Sequence, residues 1–223
     1  MAENTIEKLW SGYNFSDCDD CNNEGCKGRL DYDNLCSNLN YLKKYGQKNY
    51  EKNAETFAEL KRIMQGEQPT IFLFGAGIAL DYIGAVANFG SAVSYLPVEE
   101  CAWAITQTDA YQDFEPPLPK GNLGFRDGMA LLKMIKKNAV ICFFNSLFTI
   151  SENTDLKEKL VSALSGKTNF YFVINYTMNS SFHLPSTEMK FIDSLIRRMR
   201  SAFRFKRYEV LGGNGVIIKG EKK

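Results

Sequence analysis

Three short runs in this chain are apolar at almost every position: TIFLF at 70–74, AVICFF at the head of AVICFFNSLF, and the core of NFYFVINYTM. A strand with one wet face alternates apolar and polar residues, so a strand that is apolar throughout must be covered on both faces. Helical patterns separate these runs, over about Ala79–Asn88 and then in FRDGMALLKMIKKN, DLKEKLVSALS and STEMKFIDSLIRRMRSAF. A further strand, SAVSYLP, leads into VEECAWAITQT, which reads as a short helix. Alternating strands and helices predict an α/β fold, a mostly parallel sheet with helices on both faces.

The end of the chain departs from that alternation. RYEVLGG and NGVIIKG are two strands with only a Gly/Asn turn between them, a connection that pairs strands antiparallel. The sheet is therefore expected to close with a C-terminal hairpin. The other end differs again. Residues 1–40 are polar, rich in Asn and Asp, and hold four of the six cysteines, with little helix or strand period. Residues 41–68 follow a helical pattern, with Leu42, Tyr45, Tyr50, Phe57, Leu60 and Ile63 on repeating positions and Gly46 as an expected break. The chain thus divides into a cysteine-rich segment (1–40), a helical linker packing on the core (41–68) and an α/β domain (69–223).

Between the first strand and its helix lies Gly75-Ala76-Gly77-Ile78-Ala79-Leu80. A dinucleotide fingerprint needs a third glycine where Leu80 stands, which counts against a dehydrogenase. The arrangement instead resembles the class I S-adenosylmethionine-dependent methyltransferases, a Rossmann-like superfamily. In these a glycine motif follows the first strand, an acid ends the second, and a C-terminal hairpin closes the sheet. Leu73 stands where that motif has its leading acid, and Ala79 where it has its third glycine. The resemblance implies S-adenosylmethionine held by Gly75, Ala76, Gly77 and Ala79, with Glu99 or Glu100 on the ribose. Glu99 lies 22 residues past Gly77, close to the ~20-residue interval of a ribose acid. A glutamate carboxylate can accept both ribose hydroxyl protons. Asn145, at the end of the AVICFF strand, would line both the cofactor and the acceptor as the catalytic residue. NSLF lacks the prolines found there in enzymes that methylate amino groups. Asn175 and Tyr176 end the next strand at the same edge.

Other residues invite chemistry with bland alternatives beside them. Cys18, Cys21, Cys26 and Cys36 could form an all-cysteine metal site, zinc first and an iron–sulfur cluster second, or four unlinked thiols. Cys101 and Cys142 read as buried packing residues. Trp103 could stack on an adenine or fill the core, and Asp81 could favour the dipole of its helix. His183 sits in a loop. The whole chain has net charge +1, giving no global pull on a polyanion. The charge is unevenly spread: residues 1–60 carry 11 acids against 7 bases, and residues from Lys190 onward carry 10 bases against 3 acids. Arg197, Arg198, Arg200 and Arg204 on the last helix form a solvated face or a nucleic-acid patch. With no apolar leader or membrane-length run, a cytoplasmic protein without a membrane partner is expected. The leading reading is a methyltransferase of unknown acceptor. The other is a degenerate Rossmann-like binding or interaction protein without methyl transfer, stabilised by a cysteine metal site.

Overall fold

The strands that read as apolar throughout form the middle of a six-stranded sheet. A computed structural model describes residues 33–113, 117–119, 121–144, 146, 155–175, 187–210 and 215–223. Its strands are β1 (Thr70–Phe74), β2 (Ser94–Val98), β3 (Ala139–Phe144), β4 (Asn169–Asn175), β5 (Phe203–Glu209) and β6 (Gly215–Lys222). They lie in the order β2-β1-β3-β4-β6-β5. All run parallel except β6, which is antiparallel to both neighbours. The predicted α/β class and the closing hairpin are therefore both present.

Side-chain alternation splits each central strand between two cores. Phe72, Phe74, Ile141, Phe143, Phe172 and Ile174 face one cluster, which also holds residues of α5 (Phe125–Met134), α6 (Leu156–Leu164) and α7 (Thr187–Met199). Ile71, Leu73, Val140, Cys142, Tyr171 and Val173 face the other, with α2 (Gln47–Met64) and α3 (Asp81–Phe89). At the β2 edge the chain adds one residue more: Leu123 forms a parallel bridge with Val98. Its N–H donates to Pro97 O (2.8 Å) and its carbonyl accepts from Glu99 N (2.9 Å).

Three local expectations are corrected. First, α1 (Leu35–Tyr41) begins inside the stretch read as aperiodic, where Asn34 Oδ1 accepts from Ser37 N at 3.1 Å as an N-cap. Second, Gly46 does not break the helix. It keeps helical dihedrals (φ −59°, ψ −54°) and ends a π-helical turn, Leu42–Gly46, that joins α1 to α2. Third, α7 stops at Met199, and Phe203, expected in the helix, opens β5. Its ring is buried and lies 5.2 Å edge-on from Phe170, so sheet packing claims it. Among the described residues no helix is long and apolar enough to cross a membrane.

Candidate functional site

Strand β1 has β2 on one side and β3 on the other, so the β1-to-β2 and β2-to-β3 connections run in opposite directions and its C-terminal end is a switch point of the sheet. Open α/β sheets bind ligands in the crevice at such a point. The loop there is laced to β2: Gly75 N and Ala76 N donate to Val98 O at 2.8 and 3.4 Å. Gly75 (φ +72°), Gly77 (φ +53°) and Ala79 (φ +54°) all take left-handed conformations. The third position of the motif thus has the backbone of a glycine but carries a methyl group, at a cost of about 1–2 kcal/mol.

The two adjacent acids part company here. Glu99 accepts from Gly77 N at 3.0 Å through Oε2 and from Cys101 N at 3.2 Å through Oε1. Glu100 accepts from Phe125 N at 2.6 Å and caps the first turn of α5. Glu99, half-buried, is therefore the acid at the glycine loop. Its two oxygens offer about four lone-pair directions, of which the two N–H groups take two. The remaining directions suit the paired hydroxyls of a ribose.

A roof lies over this loop. A Cβ placed on Gly77 would lie 3.0 Å from the Trp103 ring. Trp103 is buried and meets Tyr41 edge-on at 5.3 Å. The expected helix around it is only a 3-10 turn, Ala104–Gln107, with Trp103 just before it and the short helix α4 (Asp109–Gln112) after it. Ile105 N donates to the buried Asn38 Oδ1 (3.1 Å), and Tyr111 Oη donates to Ile78 O (2.5 Å). These contacts tie α1 and the 103–111 segment across the loop. Tyr41 and Tyr111 carried no sequence signal for this role, because their partners lie on distant segments.

Behind the loop, Asp81 opens α3 and is buried, accepting from Tyr95 Oη at 2.6 Å. Burial pushes its carboxyl up to about 7, against the opposing pull of the Tyr95 hydrogen bond. The same burial raises Tyr95 and Cys142 well above their usual ranges. Asp81 is thus a buried partner of Tyr95, and its charge at neutral pH is incomplete. The dipole role alone does not describe it.

Asn175 is turned away from the crevice. Its side chain is buried, donating to Asn53 Oδ1 (2.8 Å) and accepting from the Thr56 hydroxyl (2.9 Å). It fastens β4 to α2. Next to the strand-end Asn145, which lies outside the described residues, Ser146 Oγ donates to Phe74 O at 2.5 Å and ties the end of β3 to β1. Tyr176 and His183 also lie outside the described residues, as do Cys18, Cys21 and Cys26. Cys36 is disulfide-bonded. Among the described residues no group of three or more metal-binding side chains occurs. Cys142 is buried as expected, whereas Cys101 is exposed.

No protein-family model matches the sequence, and no curated protein matches it. Solved structures do resemble it. One is a candidate O-methyltransferase from Klebsiella pneumoniae, at TM-score 0.49 and 12% identity, over 79% of this chain and 87% of that one. The plantazolicin methyltransferase BpumL in complex with SAH follows at TM-score 0.46 and 12% identity, over 100% of both chains. A candidate type 11 methyltransferase from Sulfolobus solfataricus gives 0.44 and 17%, over 74% and 89%. At these identities the likeness concerns the fold, and the chemistry of the loop must be argued from its own residues.

Proposed function

We propose that the chain is an S-adenosylmethionine-dependent methyltransferase whose donor is held at the β1–α3 loop. The observation that supports this best is the Glu99 carboxylate, set on Gly77 N at the switch point of the sheet. Gly75, Ala76, Gly77 and Ala79 would let the backbone approach the donor, and Glu99 would take the ribose hydroxyls. Asn145, next along the chain from β3, is assigned to the acceptor side. When bound, the donor supplies an electrophilic methyl group on a sulfonium. The protein's own contribution is then mainly to position the two reactants and keep water out.

Isothermal titration calorimetry with S-adenosylmethionine tests this reading. Binding by the wild type is expected, with Glu99→Ala weakening it about 10- to 100-fold, the worth of hydrogen bonds to a charged group. Glu100→Ala should leave donor affinity unchanged, because its carboxylate serves α5. No heat of binding from the wild-type protein overturns the enzyme reading.

One observation favours a second reading, a Rossmann-like binding protein without methyl transfer. Trp103 already covers Gly77, and Glu99 already has two N–H partners within the protein. If neither the wild type nor Trp103→Ala binds the donor, this second reading holds.

A further inference from the structure

At the opposite edge of the sheet, α7 and the hairpin enclose a groove of about 520 Å³. Lys190, Asp193, Arg197 and Arg200 line one wall, and Arg207 of β5 lines the other. The floor is apolar, with Phe205 half-buried between Ile196 and Ile218. The five charged residues are exposed, four cations against one carboxylate, in a chain whose net charge is only +1. Arg207 is compensated by Glu209 at 2.7 Å. Among the described residues Lys190, Arg197 and Arg200 form no ion pair. The neighbouring Arg198 does, reaching Glu158 at 2.6 Å. Among the described residues Arg198 thus has an acidic partner, and the three groove cations have none.

The cations repeat along one stripe. Lys190 and Arg197 lie seven residues apart on α7, about 10 Å of helical rise, and Arg200 follows just past its end, so the row is long enough to face more than one phosphate. Helix α7 follows β4 and returns to a parallel β5, so it runs antiparallel to the strands. Lys190 is therefore nearer the sheet end that carries the glycine loop, and Arg200 is farther from it. A lysine or arginine on an edge strand can merely discourage strand pairing, but Lys190 and Arg197 belong to the helix across the groove and Arg200 to the turn that follows it.

We propose that this groove binds a single-stranded nucleic acid, its phosphates on Lys190, Arg197 and Arg200 and a base or sugar against Phe205. Repeating cations favour a ligand with repeating anions over one bearing a single phosphate. An aromatic floor in a concave groove suits an unstacked base, and neither a duplex backbone nor a flat bilayer would reach it. The proposal is independent of the donor site, which lies about four strand spacings, roughly 19 Å, across the sheet.

Fluorescence anisotropy with a labelled oligouridylate of about twelve nucleotides tests it at several salt concentrations. The wild type should bind, and the triple variant K190E/R197E/R200E should bind at least about 10-fold more weakly. Its log Kd against log salt should flatten by about 2, the loss of three phosphate contacts to a single strand. The milder Arg197→Gln and Arg200→Gln pair should move in the same direction, which covers a triple variant that fails to fold. Arg204→Glu with Lys206→Glu, on the opposite face of β5, should have a much smaller effect. Calorimetry with S-adenosylmethionine should give the triple variant the wild-type result, so failure of one proposal is distinguishable from failure of the other. The proposal is overturned by no wild-type binding, by an unchanged salt slope, or by equal losses from both variant sets. Tighter binding to a phosphopeptide or to phosphatidylserine vesicles than to the oligonucleotide overturns it too.

Discussion

Asp81 is the residue whose chemistry departs furthest from its sequence context. In the first turn of α3 an aspartate normally gains from being charged, yet here desolvation outweighs the dipole and sets its carboxyl at about 7. The consequence for stability has a definite sign. Between the unfolded value near 4 and about 7 the folded state binds the extra proton, so this group's contribution falls as pH rises through that window, then levels off. Asp81→Asn keeps an acceptor for Tyr95 and cannot ionise. Urea unfolding at several pH values should show the variant gaining on the wild type from pH ~5 to pH ~7, by on the order of a few kcal/mol at most. A margin that shrinks with rising pH contradicts the burial argument. Ala79 shows strain of another kind, a buried methyl group held at φ +54°. Its carbonyl accepts from Tyr82 N and its N–H donates to Ala76 O, which hold the turn in place.

At the scale of elements, ends are decided by partners more than by propensity. At the end of helix α5 the carbonyls of Leu132 and Ile135 accept from the buried ammonium of Lys167. Burial lowers this lysine to about 8, and a cation at a helix C-terminus is well placed against the dipole. Lys167→Met would fill the space and leave two carbonyls without a donor. A loss of about 1–3 kcal/mol is expected from chemical denaturation; a neutral result would mean water replaces the ammonium. Legibility at this scale was uneven. Strand β1 was readable to the residue, Thr70–Phe74, because Gly75 and Pro69 bracket a run with no polar break. The start of β5 was not, since Phe203 and Phe205 continue the apolar pattern of α7 and only contact with Phe170 separates strand from helix. The Glu99–Glu100 pair was legible as an acid at a strand end. Which of the two faces the loop was not, because consecutive residues leaving a strand point opposite ways.

Across the whole molecule, the helical segment before the sheet is part of its core. Phe57 is fully buried, meets Phe89 and Phe144 edge-on, and shares a cluster with β1, β3 and β4. Phe57→Ala is therefore expected to destabilise the entire fold by about 3–5 kcal/mol in a single cooperative transition. Separate melting of α2, followed by circular dichroism and tyrosine fluorescence, would instead mark it as an appendage. The sequence by itself determined the layered architecture, the reversed strand and the place of the glycine loop, because these follow from local periodicity and from turn residues. Only the tertiary structure decided that Asn175 holds Thr56, 119 residues away, and that Trp103 covers Gly77. It also decided that Asp81 is desolvated and that four cations line one groove beside β5. Orientation, desolvation and charge clustering depend on neighbours brought together by folding, and no local pattern encodes them.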